Sequence, residues 1–221
     1  MRIKFIQKII DIFKNKTKRE LKKQVNFLSD RLQFLSERLQ YIESKGGSMP
    51  LSPQYKQNNI REYAQEYNCK VMVETGTYLG DTVYALKNDF EKIYTIELSK
   101  KLFEDAKKRF SGESQIYCYQ GNSKDILPDI LKELNSMPIF WLDAHYSAGI
   151  TAKGDKNTPI IEELEIIFKN LNKMVILIDD AREFGTEPDY PTIFKLKNFV
   201  KRYYPNAEFE IYNDIIRIVI L

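Results

Sequence analysis

The chain has 221 residues, 43% of them hydrophobic, which is enough for one well-packed domain and an extension. A single histidine excludes a multi-histidine metal site, and no run approaches the roughly 18 apolar residues of a membrane span. The formal charge of +3 conceals an asymmetry: residues 1–23 carry nine Lys/Arg against Asp11 and Glu20, a local +7, so residues 24–221 hold −4 and give no support to a nucleic-acid footprint over the main domain.

The first 20 residues read as a basic amphipathic helix. Ile3, Ile6, Ile10 and Phe13 recur at helical spacing, flanked by Lys4, Lys8 and Lys14. Such a helix can lie on an anionic membrane surface or pack its apolar face on a partner subunit. Lys8 and Asp11 interrupt the apolar stretch, which argues against a signal peptide. Residues 21–44 then place Leu21, Val25, Leu28, Leu32, Leu35, Leu39 and Ile42 at alternating spacings of four and three. That is the seam of a coiled coil, and it predicts a homo-oligomer; the other reading is one long helix folded back on its own domain. Residues 45–57, with Gly46-Gly47-Ser48 and two prolines, read as a linker.

From residue 58 strands and helices alternate. A helical segment, 60–67, precedes a strand at 70–74. Helix 81–88 leads to strand 92–97, and Ser99 can cap the helix that follows. Strand 115–119, helix 123–135 and strand 138–143 come next. Thr158-Pro159 is a good helix start, and strand 174–179 and a helix near 192–203 follow it. Runs 207–212 and 214–221, parted by Asn213, close the chain as a hairpin. The expected fold is α/β: a Rossmann-like, doubly wound, seven-stranded and mostly parallel sheet with a C-terminal antiparallel hairpin, preceded by an N-terminal helical coiled coil. Cys69 and Cys118 sit in strand-like contexts and read as free thiols of a reducing compartment, which points to the cytoplasm, with the basic helix allowing peripheral contact at the inner membrane surface.

The most informative stretch is Val71-Met-Val-Glu74-Thr-Gly76-Thr77-Tyr-Leu-Gly80-Asp81. An apolar run ends in an acid, two glycines follow four residues apart, and a helical pattern opens. Glycine lets the backbone turn tightly and approach a ligand with no Cβ in the way. Glu97 ends the next apolar run, seventeen residues past Gly80, where a carboxylate can accept from both hydroxyls of a ribose. The Gly-x-Gly-x-x-Gly of nicotinamide enzymes is absent.

With this loop, the acid at Glu97 and Gly121-Asn122-Ser123 after the third strand, residues 58–221 resemble the class I S-adenosylmethionine (SAM)-dependent methyltransferases, and among them small-molecule O-methyltransferases of the sugar and catechol type. The resemblance implies that Glu74, Gly76, Thr77 and Gly80 frame the methionine part of the cofactor. It implies further that Glu97 holds the ribose and that Asn122 or Ser123 lies near the adenine.

Chemistry in such a sheet belongs at the carboxyl ends of the strands. The fourth strand ends Asp143-Ala-His145, and the fifth ends Asp179-Asp180. Three converging carboxylates repel one another, and a hard divalent ion such as Mg²⁺ removes the conflict. Alternatively Asp143 contacts the cofactor's amino group without metal, while Asp179 or Asp180 caps the following loop. His145, with an unperturbed pKa of about 6.5, is the best general base for the acceptor hydroxyl. The loop 147–158 after it is a candidate substrate gate, and Lys153 and Lys156 suit an acidic acceptor. The leading expectation is methyl transfer to a small-molecule or glycan hydroxyl, a sugar of cell-envelope polysaccharide. The alternatives are a metal-independent methyltransferase for a phosphate, amine or carboxyl group, and an inert oligomeric scaffold on the same fold.

Overall fold

Seven strands form one sheet in the order β3-β2-β1-β4-β5-β7-β6. In chain order the elements are α1 (Pro53–Glu66), β1 (Val71–Thr75), α2 (Asp81–Leu86), β2 (Lys92–Glu97), α3 (Lys100–Arg109), β3 (Ile116–Gln120), α4 (Ser123–Glu133), β4 (Pro138–Leu142), α5 (Ile160–Asn170), β5 (Met174–Ile178), α6 (Ile193–Tyr203), β6 (Glu208–Tyr212) and β7 (Ile215–Ile220). β1 to β5 run parallel, and β7 pairs antiparallel with both β5 and β6. This computed structural model describes residues 51–143 and 158–221, together with Val25. The amphipathic start, the heptads, His145 and the gating loop up to residue 157 lie outside the described residues. The chain divides into two compact units, Met1–Met49 and Pro50–Leu221. Among the described residues no helix is long and apolar enough to cross a membrane.

The central strands are buried along their whole length, which is why β1, β4 and β5 read as continuous apolar runs rather than alternating ones. Side chains still alternate between faces. Val73, Phe140, Ile176 and Ile218 join Leu127, Leu164 and Leu196 in one cluster under α4, α5 and α6. The other face is covered by helices that include α1, which packs on β4 and β5 and beside α2. Trp141 on β4 is fully buried, 1% exposed. The hairpin turns at Asn213 and Asp214, both with positive φ (48° and 65°), as in a type I′ turn.

The first helix starts at Pro53, inside the segment read as linker, rather than at Ile60. Pro53 occupies the first helical position, where its missing N–H is not needed, and Ser52 Oγ accepts from Tyr55 N at 3.3 Å. The far side of α1 is fixed to the hairpin. Arg217 Nη2 donates to Asn59 Oδ1 at 2.5 Å, its guanidinium lies 5.7 Å from the Tyr63 ring and 5.3 Å from the Tyr212 ring, and Asn213 donates to the Tyr55 hydroxyl at 2.6 Å.

Gly80 is held at φ +77°, and a Cβ built there would stand 2.9 Å from two carbons of the Phe110 ring. Gly80→Ala combines a left-handed backbone with an overlap. It should cost about 1–3 kcal/mol of stability, measured by denaturant unfolding, with a smaller loss in a Gly80→Ala/Phe110→Leu double variant that relieves the overlap alone.

Candidate functional site

The parallel ladder carries the candidate residues to one edge. Its bonds continue one step past the strands: Gly76 N donates to Ile96 O (2.9 Å), Asp143 N to Thr75 O (3.0 Å), Asp179 N to Leu142 O (3.1 Å) and Gly121 N to Glu97 O (3.0 Å). The first residues after β1, β3, β4 and β5 therefore line up along the carboxyl edge of the sheet, together with Glu97 at the end of β2.

The glycine loop turns through Gly76 (φ 89°), Tyr78 (φ 50°) and Gly80 (φ 77°) and closes with Gly80 N donating to Thr77 O at 2.8 Å. Beneath it lies a small buried network. Thr95 Oγ1 donates to Glu74 Oε2 at 2.6 Å and lies 2.5 Å from Thr77 Oγ1, so Thr77 donates in turn. Glu97 braces the loop from the side. Its Oε2 accepts from Tyr78 N and its Oε1 from Ser99 N, both at 2.8 Å. Each carboxylate oxygen has a second lone pair, so these bonds leave Glu97 able to accept from a diol. Asn122 caps α4, its Oδ1 accepting from Lys124 N at 3.2 Å, while Ser123 is buried. Glu74 and Thr77 thus share one network through Thr95, Glu97 holds the same loop at Tyr78, and Asn122 and Ser123 follow on the neighbouring strand end.

Sequence reasoning did not single out Thr95 or Glu163. Glu163 on α5 is 1% exposed, its Oε1 has no hydrogen-bond partner among the described residues, and burial holds its carboxyl up near 7 against the opposing hydroxyls of Ser123 and Thr75. Glu74 is buried as deeply. Burial pushes it up to about 8, the Thr95 bond opposes that, and the nearby Asp143 and Glu97 charges add to it. A narrow cleft opens at the ends of β4 and β5, lined by Leu142, Asp143, Thr158, Glu163, Asp179 and Tyr190.

Asp143, Asp179 and Asp180 do converge: each offers an oxygen, and these all lie within 4.8 Å of one another. Asp180 takes a left-handed conformation (φ 55°), and its N–H donates to Asp179 Oδ1 at 2.8 Å. Burial and the like charges of Asp143 and Asp180 raise the Asp179 carboxyl well above the usual range, and Lys56 opposes this. Lys56 reaches the cluster from α1. Its ammonium pairs with Asp179 and lies 3.8 Å from Asp180 Oδ1. Asp180 also accepts from Arg182 Nη1 at 2.7 Å, and the same guanidinium pairs with Asp214. The donor set is chemically right for a hard divalent ion, but the chain has put its own cation among those oxygens. Lys56 escaped sequence reasoning because it lay in the presumed linker. Cys69 and Cys118 are free, and burial raises both thiols to about 11, as inert cysteines require.

No protein-family model matches the chain, and no curated protein does. Solved structures do match in fold. The O-methyltransferase TomG of Streptomyces achromogenes, solved with SAM, superposes with a TM-score of 0.52 at 18% identity over 85% of this chain and 89% of that one. The methyltransferase PaMTH1 of Podospora anserina, bound to S-adenosylhomocysteine (SAH), gives 0.54 at 16% identity over 85% and 88%. An O-methyltransferase of Bacillus cereus in complex with SAH gives 0.53 at 16% over 85% and 90%. The α/β domain therefore has the class I SAM-dependent methyltransferase fold.

Glu74 and Glu163 hold protons in the folded state that they release on unfolding, since an unfolded glutamate titrates near 4.3. The folded state binds more protons between that value and about 8, so their contribution to stability is full at low pH and is lost as pH rises through that window. The thermal midpoint of the wild type should fall between about pH 5 and about pH 8, and Glu74→Gln should flatten that fall. An unchanged slope in the variant would place the Glu74 proton elsewhere.

Proposed function

We propose that this protein is a SAM-dependent O-methyltransferase acting on a small-molecule or glycan hydroxyl, with a sugar of cell-envelope polysaccharide as the acceptor class. The observation that carries the reading is the convergence of a left-handed glycine loop, a buried carboxylate at the end of the next strand and an acidic cluster on one carboxyl edge. In the proposal, Glu74, Gly76, Thr77 and Gly80 frame the methionine moiety, Glu97 accepts from the ribose, and Asn122 and Ser123 flank the adenine. TomG and the Bacillus cereus protein, both named O-methyltransferases, support the reaction class.

SAM supplies an activated methyl group, so the protein has to orient the acceptor oxygen in line with the sulfonium carbon and take up its proton. We assign the proton to His145, two residues beyond Asp143. In the proposal Asp143 orients either the acceptor or the cofactor's amino group. Mg²⁺ is the ion the three carboxylates suit, but with Lys56 among them we route no step through it. The heptads at 21–44 and the basic segment at 1–20 fit an oligomeric enzyme working against a membrane surface.

Calorimetric titration with SAH and turnover on an acceptor found among nucleotide sugars test these roles. Gly76→Arg, which puts a long side chain at φ +89°, should weaken SAH binding by about 100-fold or more with far-UV circular dichroism unchanged. His145→Ala should keep SAH affinity and lower kcat by about 100-fold or more. Normal turnover by His145→Ala would remove the base assignment.

A further inference from the structure

Lys56 belongs to no motif, yet it is the best-placed cation of the site. Its side chain is 19% exposed, while those of its partners Asp179 and Asp180 are 1% and 6% exposed. It arrives there by a fixed route. Ser52 caps the helix one turn earlier, and Tyr55 and Asn59, which flank Lys56 on α1, are tied to Asn213 and Arg217 of the hairpin. Among the described residues Arg182 is a second cation nearby; it is committed to Asp180 and Asp214 and stands 3.7 Å from Glu183. The Lys56 ammonium thus pairs with Asp179 and lies 3.8 Å from Asp180 Oδ1, in a cluster where one oxygen each of Asp143, Asp179 and Asp180 lies within 4.8 Å of the others.

We propose that Lys56 is the resident cation of this acidic site, seated where a divalent ion would otherwise bridge Asp143, Asp179 and Asp180, so that ammonium and divalent ion exclude one another. An ammonium is a compact point charge with three donors, able to serve three carboxylates at once. A magnesium or manganese ion needs the same oxygens as direct ligands and cannot take them while Asp179 is paired with Lys56. Two positive centres within one such cluster would also repel each other strongly in a buried setting. For catalysis the consequence is that the charge organising the acceptor end of the site comes from the chain itself. That consequence rests on the methyltransferase reading, whereas the exclusion rests on the geometry alone. Lys56 is accordingly a positioning residue.

The test is calorimetric titration of Mn²⁺ into the full-length wild type, Lys56→Met and Lys56→Met/Asp179→Asn, with thermal midpoints and SAH titrations on the same samples. The wild type should bind Mn²⁺ with a Kd weaker than about 1 mM. Lys56→Met should bind it at least about tenfold more tightly, and its midpoint, lowered by stranded carboxylates, should recover in Mn²⁺. The added Asp179→Asn should abolish both gains. A merely structural lysine would lower the midpoint with no recovery by metal. Micromolar Mn²⁺ binding by the wild type, or no tighter binding by Lys56→Met, overturns the proposal. If Lys56→Met folds only with Mn²⁺ present, the proposal is supported; if Lys56→Met and Lys56→Gln fold neither with nor without it, the proposal fails. Absence of SAH binding in every sample, with the Mn²⁺ pattern as expected, would remove the methyltransferase reading and leave the Lys56 assignment standing.

Discussion

Everything in this site depends on the parallel ladder that joins β2, β1, β4 and β5 in register. Its last bonds, from Gly76, Asp143 and Asp179 to the carbonyls of Ile96, Thr75 and Leu142, lie beyond the strands proper. They hold the first loop residues in a row at the strand spacing of about 4.8 Å. The glycine loop, Asp143 and Asp179 are therefore positioned by the hydrogen bonds of the sheet as well as by the loops that carry them. A site built this way is preorganised before any ligand arrives.

The same ladder concentrates negative charge. Glu74, Glu97, Asp143, Asp179 and Asp180 all stand at or near the carboxyl edge, and all but Asp143 are buried. The protein handles each one differently. Glu74 is shielded and leans toward its neutral form, with one hydroxyl bond from Thr95. Glu97 accepts from two backbone N–H groups. Asp180 is matched by Arg182, and Asp179 by Lys56. Removing one partner from such an arrangement is costly because the remaining charge is left in a poorly solvated setting. The cluster is thus a balanced whole.

Much of this was legible in the sequence. Strand β2 was expected at 92–97 and is found there, and β1, β3, β4 and β5 were placed within one residue of their observed ends. Apolar runs bounded by glycine and polar punctuation carry that information locally. The convergence of Asp143 with Asp179 and Asp180 followed from strand adjacency alone. What the sequence did not disclose is non-local. Lys56 meets Asp179 across 123 positions, from a helix whose first turn is masked by the prolines and serines of an apparent linker. Glu163 looks like one more polar residue in a Glu-rich helix, and only the packing of α5 against α4, with the Ser123 and Thr75 hydroxyls facing it, turns it into a buried acid. That β7 enters the sheet between β5 and β6 is a non-local fact too, although the near-continuous apolar run Ile215–Ile220 suits an interior strand and the alternating Glu208–Tyr212 an edge.

If one row of strand ends cradles the cofactor, as proposed, hydrogen–deuterium exchange with and without SAH will register it. SAH should protect three separate segments together: the glycine loop 76–80, the turn 97–99 after β2, and residues 121–124 after β3. Protection of none of them, or protection confined to a surface away from the carboxyl edge, would contradict it.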